Sequence, residues 1–405
     1  MAKIAWFIPG LIEGSGGIRT IVQFIQRLEQ AGHQCSIYME QGNLRTPDEA
    51  RAQLERYFSM QLAGKVHLGF GISEPCDLAF ATIWYTAKVV RDLPFPCKRA
   101  YFIQDYEAYF HPMGDSYLAA ENSYRYGLAP ITIGRWLQST LAKRYGLNGR
   151  YFDFCADTGT YRPLPQHPRE PRSVCMIYQP EKPRRCPVLG IETLGIVKHL
   201  MPDVEIHLYG SREKGHVWFP HHNHGLLDLA ACNRLYNSST VGFCQSASNP
   251  SRIPFEMMAA GLPVVELWRE NNIFDLPDSA VQLCDQTPES LAKGIIELLK
   301  DPDRRQRMSV SGVAFMQHRD LEVGYKQFLV AVDELLNSAH NSFSPSEMPS
   351  PQFHAPPVLS EAFSNTMFDP SQWDRPPHPL DPAPPRDSLL RRVLRPVYRR
   401  LKRWI

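Results

Sequence analysis

The chain of 405 residues contains nine cysteines, but none stands in a CxxC pair, so the sequence encodes no zinc site of that spacing and no redox dithiol. Cys35, Cys175, Cys244 and Cys284 sit inside apolar runs, where a thiol behaves as a small hydrophobe, and a reducing compartment is expected. No apolar stretch approaches the roughly 20 residues that cross a bilayer. The run Ile4 to Ile8 is too short for a signal h-region and leads into a glycine loop, not a small-residue cleavage site, so a cytoplasmic chain is expected. A basic surplus is missing as well. The formal charge is +2, seven of the basic residues fall in the last seventeen positions, and residues 1–388 hold 37 basic against 42 acidic side chains. Such a body does not suit nucleic acid, and the basic tail needs a partner of its own.

At 43% hydrophobic and 11% aromatic residues, the chain can bury a large core, and its length favours two domains. Ile4 to Ile8 reads as a strand, Glu13 to Gly17 as a glycine loop, and Ile18, Ile21, Val22, Ile25 and Leu28 as one face of a helix. Gly32 ends that helix, and Cys35 to Met39 gives the next strand. The rhythm repeats at Leu78 to Ile83, Arg99 to Ile103, Pro130 to Ile133, Val174 to Tyr178, Val204 to Tyr209, Ser239 to Phe243 and Leu262 to Leu267. Alternating strands and helices imply parallel sheets covered on both faces. The Pro- and Arg-rich stretch 162–172 divides residues 1–162 from 163–337. Residues 338–388 are rich in Pro, Ser and His, a composition that reads as a disordered tether.

The glycine loop brings main-chain N–H groups and a positive helix end to Gly16 and Gly17, which suits an anionic or hydroxyl-rich ligand. A nicotinamide reading stays open, with Gly14 and Gly16 as the first two glycines and Glu40 as the ribose acid, although Arg19 stands at the third glycine's place. In the second half, Lys182, Arg184 and Arg185 follow a strand, where open sheets bind ligands and where guanidinium groups can pair with a diphosphate. The segment Asn249 to Val265, NPSRIPFEMMAAGLPVV, reads as an irregular turn, a short helix stopped by Gly261, and a buried strand. Ser251 and the helix start suit phosphate, and Glu256 suits ribose hydroxyls or serves the helix dipole. Asp105 and Glu107 follow the strand ending at Ile103. They read as a general base with acceptor-lining neighbours, as a metal-binding pair, or as loop acids. The run His221 to His224 is read as a solvated loop. The tail places Leu389, Leu390, Val393, Leu394, Val397, Leu401, Trp404 and Ile405 on one stripe, with Arg391, Arg392, Arg395, Arg399, Arg400, Lys402 and Arg403 on the other side. That pattern fits an amphipathic helix over residues 389–405 on anionic lipid, or one docked on the protein's own acidic body.

These blocks resemble family 4 GT-B glycosyltransferases. EMMAAGLPVV is similar to the second half of that family's Glu-x7-Glu region, with Ser248 in place of the first glutamate. Cys155 to Pro163 resembles the interdomain segment, ITIGRWLQSTLAKRYG the last N-domain strand and helix, and GLLDLAACNRLYNSS the helix before the glutamate region. A narrower resemblance is to the WsaF-like rhamnosyltransferases, carried by Tyr101 to Tyr124 and by the Pro250 to Glu256 turn. The resemblance implies an α/β GT-B fold of two Rossmann-like domains facing each other across a cleft, the first for acceptor and the second for nucleotide sugar. It implies a hexosyltransferase that moves a sugar, with dTDP-rhamnose as donor, to a hydroxyl of a glycan or lipid-linked acceptor in polysaccharide assembly. Donor contacts are expected from Gly16, Gly17, Arg184, Ser251, Arg252 and Glu256. Asp105 is expected as the base, with Tyr106, Glu107 and His111 lining the acceptor cleft. No cofactor, metal or nucleic acid is expected. The protein is expected at the inner face of the membrane, held there by the tail. A GT-B epimerase and a silent nucleotide-sugar binder remain as alternatives.

Overall fold

The computed structural model describes residues 1–72 and 74–360. Two parallel sheets stand one after the other in the chain. The first has the order β3-β2-β1-β4-β5-β6-β7, formed by β1 (Lys3–Ile8), β2 (Gln34–Met39), β3 (Lys65–Leu68), β4 (Leu78–Ala81), β5 (Lys98–Ile103), β6 (Ala129–Ile133) and β7 (Arg150–Phe152). The second has the order β10-β9-β8-β11-β12-β13, formed by β8 (Ser173–Ile177), β9 (Glu205–Tyr209), β10 (His222–Asn223), β11 (Val241–Phe243), β12 (Val264–Leu267) and β13 (Val281–Cys284). The central strands are buried along their length, as expected for sheets covered on both faces. Strand order reverses between β1 and β4 in one sheet and between β8 and β11 in the other. Those crevices, at the carboxyl ends of the strands, are where such sheets bind ligands.

Aromatic packing explains why the first domain recruits the end of the chain. Trp6 stacks on Phe80 at 4.2 Å. Phe328, from the helix Leu321–Asn337, sits edge-on to Phe24 at 4.8 Å and to Phe102 at 5.6 Å. That helix was expected in the second domain, but its buried face (Tyr325, Phe328, Val332, Leu335) packs on the first. An aromatic core with an uncovered side takes the nearest amphipathic helix, whatever its place in the sequence.

The expectation of a disordered tether from residue 338 is corrected for residues 338–360. Asn341 bridges the start of β5 to the turn before β6. Its side chain accepts from Arg99 N–H at 2.7 Å and donates to the main-chain oxygens of Arg99 and Gly127. Phe343 is buried under the Arg150 guanidinium. The strap then crosses to the second domain. There Gln352 donates to the carbonyls of Phe274 and Asp275, and Val358 pairs in parallel with Cys284 at the edge of β13. Proline-rich composition lacks apolar periodicity, yet a few buried anchors and satisfied polar groups hold the segment. The expected tether beyond Ser360 and the tail residues Arg391, Arg392, Arg395, Arg399, Arg400, Lys402, Arg403 and Trp404 lie outside the described residues.

Candidate active site between the two sheets

The ligand edges of the two sheets meet in a seam. On the second domain, β8 is followed by a one-turn 3-10 helix, Pro183–Arg185, which sets Arg184 against the first domain and Arg185 into the second domain's own turn. Arg185 Nη1 donates to Ser246 Oγ at 2.6 Å and to the Asn249 carbonyl at 3.3 Å, which fixes the turn that follows β11. The Arg184 guanidinium lies over the Phe110 ring at 4.4 Å, and its Nε is buried with no hydrogen-bond partner.

The Asn249 to Val265 segment folds as the sequence predicts. Ser251 has φ 65°, a left-handed conformation that is costly for a residue with a Cβ and that concentrates at functional sites. Its Oγ accepts from Ile253 N–H at 3.3 Å, at the start of the helix Ile253–Ala259. Gly261, with φ +72°, ends the turn, and its carbonyl accepts from Arg169 at 2.7 Å. Arg252 reaches across the seam and donates to Gln23 Oε1 at 3.0 Å, while its Nε stays buried and unpartnered. Glu256 keeps a partial opening to solvent. Burial pushes its carboxyl up to about 7, against the opposing pull of Arg252, the Tyr161 hydroxyl and Arg19.

The glycine loop is open as expected. Gly16 and Gly17 are exposed at the start of the helix Gly16–Gln30, and a Cβ at Gly16 would meet nothing within 4 Å. The loop faces the second domain, with Gly14 packed on Leu226 and Glu13 paired with Arg212 at 3.2 Å. Glu40, the acid of the nicotinamide reading, is already taken by the Tyr85 hydroxyl at 2.8 Å and Gly10 N–H at 3.3 Å.

Asp105, Tyr106 and Glu107 are all buried in this structure. Asp105 is 6% exposed, and both of its oxygens are occupied. Oδ1 accepts from Tyr106 N–H at 2.9 Å and Asn249 N–H at 3.1 Å. Oδ2 accepts from Ser248 Oγ at 2.9 Å and pairs with Arg184 Nε at 3.8 Å. With three hydrogen bonds on its four lone-pair sites, this buried carboxylate orients the Ser248 and Asn249 turn. Glu107 is buried, holding Trp84 N–H at 2.5 Å and the Tyr101 hydroxyl at 2.7 Å, and burial raises it to about 8. Tyr106 is fully buried, and its hydroxyl serves Glu121, Tyr145 and Arg144. His111, half-buried against Trp84, is the one member of the expected acceptor group with an open face.

Sequence reasoning missed Asp275. Its buried carboxylate crosses the seam to accept from the N–H groups of Arg135 and Trp136, at 2.8 and 3.2 Å, capping the helix Arg135–Tyr145. Gly134, with φ +82°, permits that approach, since a Cβ there would stand 2.5 Å from Phe154 and 2.9 Å from the Asp275 carboxylate. The histidine run is also more structured than expected. His222 pairs with Glu205 at 3.2 Å, and His224 meets the buried His207, which pairs with Glu170 at 2.8 Å. Among the described residues no set of three or more such side chains is arranged to hold a metal ion, all nine cysteines are free, and no helix is long and apolar enough to cross a membrane.

Comparison with known proteins agrees with the two-sheet fold. Residues 172–296 match the family described as the WsaF C-terminal domain. The O-antigen biosynthesis protein RfbC of Myxococcus xanthus is 30% identical over 279 residues, covering 64% of this chain and 21% of that protein, so the chain spans about a fifth of its relative's length. Among solved structures, sucrose-phosphate synthase of Thermosynechococcus elongatus matches at a TM-score of 0.61 with 15% identity, over 83% of this chain and 99% of that one. TarM of S. aureus, solved with alpha-GlcNAc-glycerol and UDP, matches at 0.62 with 9% identity, over 84% and 100%. HepE of Anabaena, solved with UDP-glucose, matches at 0.60 with 13% identity, over 82% and 100%. This chain therefore has the GT-B fold of glycosyltransferases, and its second domain is similar to the C-terminal domain of WsaF.

Proposed function

We propose that the chain is a glycosyltransferase that takes a sugar from a nucleotide donor bound at the second domain's edge and passes it to a hydroxyl of a glycan or lipid-linked acceptor. The observation that carries this reading is spare donor capacity. Arg184 and Arg252 each keep a buried Nε without a hydrogen bond, the first near Asp105 and the second near the partly open Glu256. Buried polar groups are rarely left unpaired, and orphaned guanidinium N–H groups call for an anion. A diphosphate supplies the acceptors, and Glu256 receives ribose hydroxyls. As the glycosidic bond breaks, negative charge builds on the diphosphate. Arg184 and Arg185 stabilise it from fixed positions, which is the larger catalytic term, and no step requires a resident metal.

The relative named for O-antigen biosynthesis supports a role in cell-surface polysaccharide assembly, and the resemblance to WsaF-like enzymes supports dTDP-rhamnose as donor. Tyr106 and Glu107 scaffold the acceptor side, and His111 faces it. The basic amphipathic stretch 389–405 is proposed to hold the enzyme on anionic lipid, which co-sedimentation with phosphatidylglycerol vesicles tests. For the reaction itself, dTDP-rhamnose, UDP-glucose and UDP-GlcNAc are incubated with the protein, with and without lipid-linked glycan acceptors. Acceptor-dependent release of nucleoside diphosphate, unchanged by EDTA, is expected. Turnover of the donor sugar without any acceptor contradicts transfer.

A further inference from the structure

Ser248 is fully buried and stands eight positions before Glu256, in the turn that carries the donor-site residues. Apart from Gln23, which accepts from Arg252, the first-domain contacts to this turn and to Arg184 come from one short stretch. Asp105 accepts from Ser248 Oγ and Asn249 N–H, the Gln104 carbonyl accepts from the Asn249 side chain, and Phe110 forms the floor under Arg184. Arg184 itself stops 3.8 Å short of Asp105 Oδ2, beyond hydrogen-bonding distance.

The hydroxyl explains that gap. Ser248 Oγ already satisfies Oδ2 with one hydrogen bond at 2.9 Å, which weakens the pull of that oxygen on the guanidinium. A carboxylate at 248 would instead press a second negative charge on Asp105 in a water-poor site. We propose that Ser248 is a positioning residue that couples domain closure to assembly of the donor site. By satisfying Asp105 it holds the first domain on the Asn249 to Arg252 turn and keeps Arg184 from collapsing into a tight pair with Asp105, leaving that guanidinium free for the diphosphate. The inference rests on the nucleotide-sugar reading given above. In Ser248→Ala, Oδ2 is one bond short, Arg184 closes onto it, and the donor loses its partner.

The test is a double-mutant cycle on the full chain, read as the Kd for UDP and dTDP by titration calorimetry, with Tm recorded for each protein and with donor KM, kcat and the pH–rate profile where transfer is measurable. Ser248→Ala is expected to weaken binding about tenfold with the larger effect on KM. Asp105→Asn removes the charge that draws Arg184 away. The double variant should therefore bind more tightly than Ser248→Ala, so the two changes are non-additive, and the acid limb of the pH–rate profile should survive Asp105→Asn. Effects that simply add, or Ser248→Ala binding like wild type, overturn the coupling. Loss of the acid limb in Asp105→Asn returns Asp105 to proton transfer and overturns it too. If Ser248→Ala fails to fold, Asp105→Asn decides alone, and unchanged Kd and KM there overturn the inference. Wild-type protein that binds neither UDP nor dTDP overturns the donor-site reading itself.

Discussion

The seam contains two acids on opposite terms with their surroundings. Asp105, from the first domain, is buried with both oxygens occupied. Glu256, from the second, is partly open beside Arg252, whose Nε makes no hydrogen bond. Both are charged residues placed at a ligand edge, and motif reading treats them alike. The difference is saturation. A saturated polar group is already doing structural work, whereas spare capacity at a sheet edge marks where a ligand is expected.

The contrast can be broken at several strengths. The largest effect belongs to neither acid. Phe328→Ala empties the aromatic core under the first domain and should cost about 3–5 kcal/mol by denaturant titration. The Kd for nucleotide under folding conditions should change far less than the stability does. Next comes Arg184→Ala, which removes a preorganised charge from the leaving group and should lower kcat by about 10² to 10³. Arg184→Lys should recover part of the rate, because a point charge cannot offer the two-pronged contact of a guanidinium. A loss confined to Tm, with kcat intact, would mean that Arg184 serves only Asp105.

A smaller effect concerns pH. Burial raises Glu107 and Glu266 to about 8, and Glu256 and Asp275 to about 7. The folded protein therefore holds these protons to higher pH than the unfolded chain does. Their contribution to stability is full below the ordinary carboxyl range near 4 and is lost as pH climbs through 7 and 8. Tm should fall between pH 5 and pH 8. Glu266 offers a clean check, because its Oε1 accepts from Ser246 and Leu267 N–H while Oε2 is buried and unpartnered. Glu266→Gln should flatten the upper part of that slope, and an unaltered slope would assign it to the other three acids.

Much of the fold was legible because long apolar runs and glycine breaks encode it. The strands from Ile4 to Leu267 expected from the sequence are present, and Arg184, Arg252 and Glu256 gather on one edge. The misses have local causes. Lys65–Leu68 and Arg150–Phe152 are too short to show a period. The strap at 338–360 is held by Asn341, Phe343 and Gln352, isolated anchors without periodicity. The partners of Asp105 and Asp275 lie 143 and 140 residues away, and pairing across a seam leaves no trace in local sequence. Reading Asp105 as a base followed from its place after a strand, which is shared by acids that bind and acids that brace.

The central claim is that a nucleotide sits against Glu256 and the spare guanidinium groups. Calorimetric titration of dTDP and UDP from pH 6 to pH 8, for wild type and Glu256→Gln, tests it most directly. The ionised carboxyl accepts ribose hydroxyls, so wild-type affinity should tighten as pH rises through about 7, while the glutamine variant should bind about tenfold more weakly with no such pH dependence beyond that of the ligand. Equal affinity and equal pH dependence in the two proteins would place the nucleotide elsewhere and contradict the account.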